Sequence, residues 1–210
     1  MDGGYDDGYR ACPCFWGKNP GSLLIRLKSY QPSFSNLAVL DAGCGEGKNA
    51  EFLAAEGAKV HAIDVSELAL KNAQNTIPHN WSISWVIADI STLPLPPNYY
   101  DIIVAYGLLH CLKSSEQIVS TVKKFQTATR VGGRHIVCAF DIGQHDLAAH
   151  PGFTPTLLSH STYLSFYAGW EIEYATSEQL YETHPNNNLP HTHSLTRIIV
   201  RKGTAGDLSP

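Results

Sequence analysis

No apolar run in the sequence is long enough to cross a membrane: the longest, IIVAYGLLHCL at 102–112, falls well short of the roughly 20 residues that a spanning helix needs. The first residues, MDGGYDDGYRA, have neither a basic start nor an apolar segment, which speaks against a secretory leader. Basic residues are few and scattered, 15 Lys and Arg against 19 Asp and Glu for a net charge of −4, so the cationic stripe that a nucleic-acid partner would need is missing. None of the five cysteines, at 12, 14, 44, 111 and 138, falls in a CxxC pair. An odd count in a chain of this size reads as reduced thiols in a cytoplasmic protein, not as a disulfide frame or a zinc ribbon. Internal repeats and low-complexity segments are absent too.

What is present is enough for a core. With 43% hydrophobic and 16% charged residues the composition is that of a globular chain, and 210 residues fit one domain. That domain is expected over 1–203, with 1–30 as an N-terminal arm and helix acting as a lid and 204–210 as a flexible tail. Between 37 and 140 short apolar runs alternate with amphipathic stretches, the pattern of βαβ units in a parallel sheet. Strands are expected at 37–42, 59–64, 82–88, 100–106 and 134–140. Helices are expected at 49–57, closed by Gly57, at 66–77, opened by Ser66 and stopped before Pro78, and at 114–133, closed by the Gly132–Gly133 pair. A helix at 20–30 precedes the sheet. Beyond Phe140 the pattern predicts a polar loop, a helix at 156–169, and two strands at 170–177 and 194–202.

The chemistry concentrates at strand ends. In VLDAGCGEGKNAEFL (39–53) a strand ends in Asp41 and enters a helix through Gly43, Gly45 and Gly47, which allow a sharp turn and a close approach of backbone to ligand. Alone, such a motif is also compatible with a structural turn. About 20 residues on, the next strand ends at Asp64–Val65, where a carboxylate can accept both ribose hydroxyls of a nucleoside, and a third ends at Asp89–Ile90, suited to an adenine edge. Each acid alone could be a strand-end cap; the ordered trio points to a nucleoside ligand. GxGxG preceded by an acid differs from the dinucleotide fingerprint GxGxxG, and Glu46 beside the turn suits a sulfonium better than a pyrophosphate.

On these residues the sequence resembles the class I S-adenosyl-L-methionine (AdoMet)-dependent methyltransferases from about residue 37 to 202, through LDAGCGEG, Asp64, ADISTLPL and YYDIIVAYGLLHCL. The segments FYAGWEIEYATSEQLYETH and TRIIVRK, with the arm YDDGYR…FWGKNPGSLL, are similar to the small TehB-type, tellurite-resistance-like methyltransferases. The resemblance implies an α/β, doubly wound, Rossmann-like fold: a seven-stranded, mostly parallel sheet with a final antiparallel hairpin strand and helices on both faces. It implies AdoMet as cofactor and a small-molecule methyl acceptor with an S, Se, Te, N or O nucleophile. Membrane and nucleic acid are not expected as partners, and a monomer or homodimer is. A non-methylating use of the cofactor's charge, or a non-catalytic binding module, remain the alternatives.

Methyl transfer asks the protein to align nucleophile, methyl and sulfur and to exclude water. Asp41 is expected to orient the turn and, through water, the cofactor's ammonium, with Gly43, Cys44 and Gly45 around the methionine moiety. Tyr106 would either face the methyl or close the core. Trp16, with Phe15, Tyr9 and Tyr5, would either roof the cationic cofactor or pin the first helix. Cys12 and Cys14 could bind a soft ligand or be idle, and His110 could touch substrate or cap its strand. THPNNNLPHTH (183–193) is expected as a loop on the substrate side of the last hairpin, where His184 or His193 could serve as general base, and the same groups with His191 and Arg197 could draw in an anion. A three-histidine metal set from His184, His191 and His193 ranks behind both, so no metal is expected.

Overall fold

The computed structural model describes residues 5–12, 14–147, 150, 152–183 and 189–203. Seven strands form one sheet in the order β3-β2-β1-β4-β5-β7-β6: β1 (Ala38–Ala42), β2 (Lys59–Asp64), β3 (Ile83–Ile87), β4 (Tyr100–Tyr106), β5 (Thr129–Phe140), β6 (Glu171–Glu182) and β7 (His191–Arg201). The first five are parallel to one another, and β7 runs antiparallel to both β5 and β6.

The apolar runs follow from burial on both faces. Neighbours along a strand point to opposite sides. Val39 and Ile102 therefore meet Leu23, Leu24 and Leu53 of α2 (Ser22–Leu27) and α3 (Lys48–Ala55), while Leu40 and Ile103 meet Ile118, Val122, Phe125 and Tyr163 of α5 (Ser115–Ala128) and α6 (His160–Ser165). The remaining helices are α1 (Asp6–Ala11) and α4 (Glu67–Thr76). Ser66 Oγ accepts the Ala69 N–H at 3.0 Å, the cap expected from sequence, and Ser114 Oγ accepts the Gln117 N–H at 3.3 Å at the start of α5.

Several boundaries differ. α5 ends at Ala128, not at the glycine pair, because Thr129 Oγ1 donates to the Phe125 carbonyl at 2.7 Å and the chain enters β5 directly. Gly132–Gly133 lies inside that strand beside a register shift against β4; a Cβ on Gly133 would sit 2.7 Å from Thr129 Cγ2. α2 and α6 are shorter than their amphipathic stretches, six residues each. β6 runs on to Glu182 and β7 begins at His191, pairing Leu180 with His193 and Glu182 with His191. The expected histidine loop is therefore partly strand: His191 and His193 are buried positions of β7, and His184 lies outside the described residues.

Candidate active site

The strand order reverses between β1 and β4, and a cleft of about 280 Å³ opens there at the carboxyl ends of the parallel strands. Its floor is the glycine turn. Gly43 and Cys44 donate their N–H groups to the Ile63 carbonyl at 2.8 and 3.1 Å, and the Gly45 N–H reaches Asp64 Oδ2 at 2.8 Å. Gly45 sits at φ +53°, a left-handed conformation, with room for a Cβ limited by the Tyr9 hydroxyl at 3.0 Å.

Asp64 also receives the Ser66 N–H at 2.9 Å on Oδ1. Burial raises its pKa, and these amides hold the shift in check. Asp41 lies behind the turn, fully buried and off the cleft wall. Burial first, and then the charge of Asp64, push its carboxyl up to about 7. Its Oδ2 has no hydrogen-bond partner among the described residues. A buried carboxylate oxygen left open next to a backbone turn is what a bound ammonium, reached through water, would answer, so the donor set fits the AdoMet expectation. Val65 and Ile90 line the cleft; Asp89 does not, since its Oδ1 accepts the Ser91 N–H and hydroxyl at 2.8 and 2.6 Å, and Ala88 takes its place on the wall.

The aromatic arm closes over this floor. Tyr5, Tyr9 and Trp16 face the cleft, whereas Phe15 is buried behind Trp16 at a ring separation of 4.8 Å. The latch is Glu46, whose carboxylate accepts the N–H groups of Cys14 (2.9 Å) and Phe15 (2.6 Å) and the Asn72 side-chain amide (2.9 Å). Lys48 Nζ donates to the Trp16 carbonyl at 2.9 Å, and Ser66 Oγ to Asp6 Oδ1 at 2.5 Å. Sequence reasoning placed the arm but not its latch, because a glutamate in a glycine turn has no local partner to reveal it.

The far end of the cleft holds Tyr106, His110, Cys111, Cys138, Phe140 and Glu182. The ring of Tyr106 packs on Gly21, where a Cβ would lie 2.3 Å from it. His110 is stacked on Phe140 at 4.1 Å and its Nδ1 accepts the Phe140 N–H at 3.1 Å. Burial pushes His110 down to about 3, and pushes the Cys111 and Cys138 thiols up to about 12. Tyr106 is raised by burial as well. Arg197 is not on this wall: its guanidinium reaches Glu178 and the Ser22 hydroxyl, tying the hairpin to α2.

Among the described residues, His191 and His193 come together with His150, whose position in the loop after β5 no spacing rule linked to them. Burial, and next the neighbouring His191, lower His150 to about 4. Glu182, on the cleft wall, is raised by burial.

A seven-stranded sheet with β7 antiparallel, a glycine turn after β1 and an acid after β2 define the Rossmann-like fold of class I methyltransferases. Residues 39–133 match the methyltransferase-domain family. The chain is 30% identical over 153 residues to the "Probable S-adenosyl-L-methionine-dependent methyltransferase TehB" of Haemophilus influenzae (strain 10810), covering 71% of this chain and 52% of that protein. It is 37% identical over 82 residues to an uncharacterized methyltransferase of Mycobacterium tuberculosis, covering 39% of this chain and 41% of that one. Among solved structures, TehB from Haemophilus influenzae superposes with a TM-score of 0.73 at 22% identity, covering 87% of this chain and 62% of that one. A protein described for the conversion of a disulfide bond into a thioacetal group during echinomycin biosynthesis superposes with a TM-score of 0.71 at 21% identity, covering 99% and 95%. The chain spans about half the length of the curated relatives it matches. It carries an AdoMet-dependent methyltransferase domain of class I and is similar to the TehB type. Among the described residues no helix is long and apolar enough to cross a membrane.

Proposed function

We propose that the protein methylates a small molecule, with residues 1–203 as one catalytic unit and the arm as its lid. The observation that carries this is the glycine turn with Asp64 beside it, opening into a cleft roofed by Tyr5, Tyr9 and Trp16. The turn's backbone would hold the methionine moiety, Asp64 and Val65 the ribose, Ile90 with the Asp89 backbone the adenine, and Asp41 the ammonium through water. AdoMet, when bound, supplies a methyl already activated on a sulfonium. The chain's task is then alignment and dryness, which the closed arm serves.

Acceptor class follows from the far end of the cleft. Neither His110, held neutral down to about 3, nor the thiols, held up at about 12, is poised near neutral pH to take a proton. That favours an acceptor arriving as its own nucleophile, a thiolate, selenide or telluride, over an alcohol or phenol. Incubation with methyl-labelled AdoMet and matched thiol, chalcogenide, amine and hydroxyl acceptors tests this: label is expected on the soft acceptors. Label on hydroxyls alone would reverse the acceptor assignment, and AdoMet binding with no transfer would favour a binding or non-methylating role. Asp64→Ala is expected to weaken AdoMet binding by about 10–100-fold by calorimetry, the loss of hydrogen bonds to a charged group.

A further inference from the structure

Four side chains from three separate segments converge beside the cleft, of which Glu182 alone lines it: His150 from the loop after β5, His191 and His193 from β7, and Glu182 from the end of β6. One ligand atom from each histidine lies within 4.8 Å of the other two, and all three residues are buried. We propose that His150, His191 and His193, with Glu182 as fourth ligand, bind a single borderline divalent metal ion of the zinc class.

The distances fit a coordination shell. A tetrahedral ion with bonds of about 2.0–2.1 Å places its ligand atoms ~3.3 Å apart along each edge. His193 Nε2 and His150 Nε2 are 3.2 Å apart. Glu182 Oε1 stands 3.7 Å from His191 Nε2 and 3.9 Å from His193 Nε2, beyond the usual 2.7–3.2 Å of an N–H···O bond but a small contraction from a ligand edge.

The surrounding hydrogen bonds set the tautomers that ligation needs. The Leu189 carbonyl lies 2.8 Å from His191 Nδ1, which must donate to it, and in the neutral ring this leaves Nε2 carrying the lone pair. The Asp141 carbonyl lies 2.7 Å from His145 Nε2, so His145 donates there and its Nδ1 becomes an acceptor. His193 Nδ1, 3.4 Å away, then donates to His145, and His193 Nε2 also turns a lone pair inward. Lone pairs and a carboxylate thus face one point, an arrangement that calls for a shared positive charge. A backbone carbonyl on one ligating histidine and a second histidine behind another are the outer supports that metal-bound imidazoles carry. The site is nitrogen-rich with one oxygen and no thiolate, a donor set for zinc, cobalt, nickel or copper in preference to magnesium or calcium.

This inference stands apart from the acceptor assignment, because it is read on the protein alone, with neither AdoMet nor acceptor present. Protein stripped with a chelator is titrated with zinc by competition against a chromophoric chelator, and with cobalt(II), whose visible bands report tetrahedral geometry. One equivalent of zinc is expected, with tetrahedral cobalt bands. His150→Ala and His193→Ala are expected to weaken zinc by more than about 100-fold, and His145→Ala, behind the site, by about 10–100-fold. If His193→Ala does not fold, His150→Ala, on a loop outside the sheet, decides alone. No saturable binding by the intact protein, or equal affinity in His150→Ala, would overturn the assignment.

Discussion

Asp41 and Asp64 end adjacent strands, yet burial treats them differently. Asp64 spends its charge on two backbone amides, whereas Asp41 keeps one oxygen unanswered and is pushed up to about 7. Because that value lies above the ordinary 3.8, the folded protein holds a proton that the unfolded chain has released between about pH 4 and 7. The contribution of Asp41 to stability therefore declines as pH rises through that window, with its whole penalty present above pH 7. In AdoMet-free protein, Asp41→Asn should raise the melting temperature at pH 8 and leave it unchanged or lower at pH 5, measured by thermal denaturation across pH. Both acids were legible in sequence because strand, turn and helix place them by short-range rules. His150 was not: its partners lie 41 and 43 residues away, and only the sheet's last pairing brings them into reach.

The glycine turn, α3 and α4 matched their sequence signals because each carries its own stop and start chemistry, glycine at left-handed φ and serine at the cap. The end of α5 failed for the same reason in reverse. Gly132–Gly133 looks like a helix stop, but a threonine side chain closes the helix earlier and the glycines accommodate a strand irregularity, where Asp101 and Arg130 carbonyls leave no space for a Cβ. β6 was read short because SEQLYE is a polar edge segment whose strand character comes from pairing with β7, not from propensity. The arm depends on one side chain in a comparable way. Removing Glu46 would orphan two backbone amides and one N–H of the Asn72 amide, whose nitrogen keeps its bond to the Tyr9 carbonyl, each orphan costing about 1–3 kcal/mol if it stayed dry. Glu46→Ala should therefore release the arm: faster proteolysis within 5–16, a change in Trp16 fluorescence, and weaker AdoMet binding with the sheet's own unfolding transition retained.

For the molecule as a whole, acid is the condition the core is built against. His135 sits in the second core between Thr129 Oγ1 at 2.7 Å and the Tyr167 hydroxyl at 3.1 Å, and burial holds it down at about 3. With a folded value below the ordinary 6.5, its contribution is complete above that pH and is lost as pH falls from 6.5 towards 3, at up to about 1.4 kcal/mol per unit. Because His110 is held down in the same way, the two histidines together outweigh the opposite contribution of Asp41, so urea midpoints should drop from pH 7 to pH 5, and His135→Gln should flatten that slope by about one proton.

The position of β7 between β5 and β6 also fixes an order of events during synthesis. β6 emerges from the ribosome before β7, but among the described residues its ladder into the sheet runs through β7 alone. Until Arg201 has been added, β6 has nothing to pair with and β5 presents a bare edge, so a chain stopped at residue 190 forfeits two strands of the sheet where only one has been left unmade.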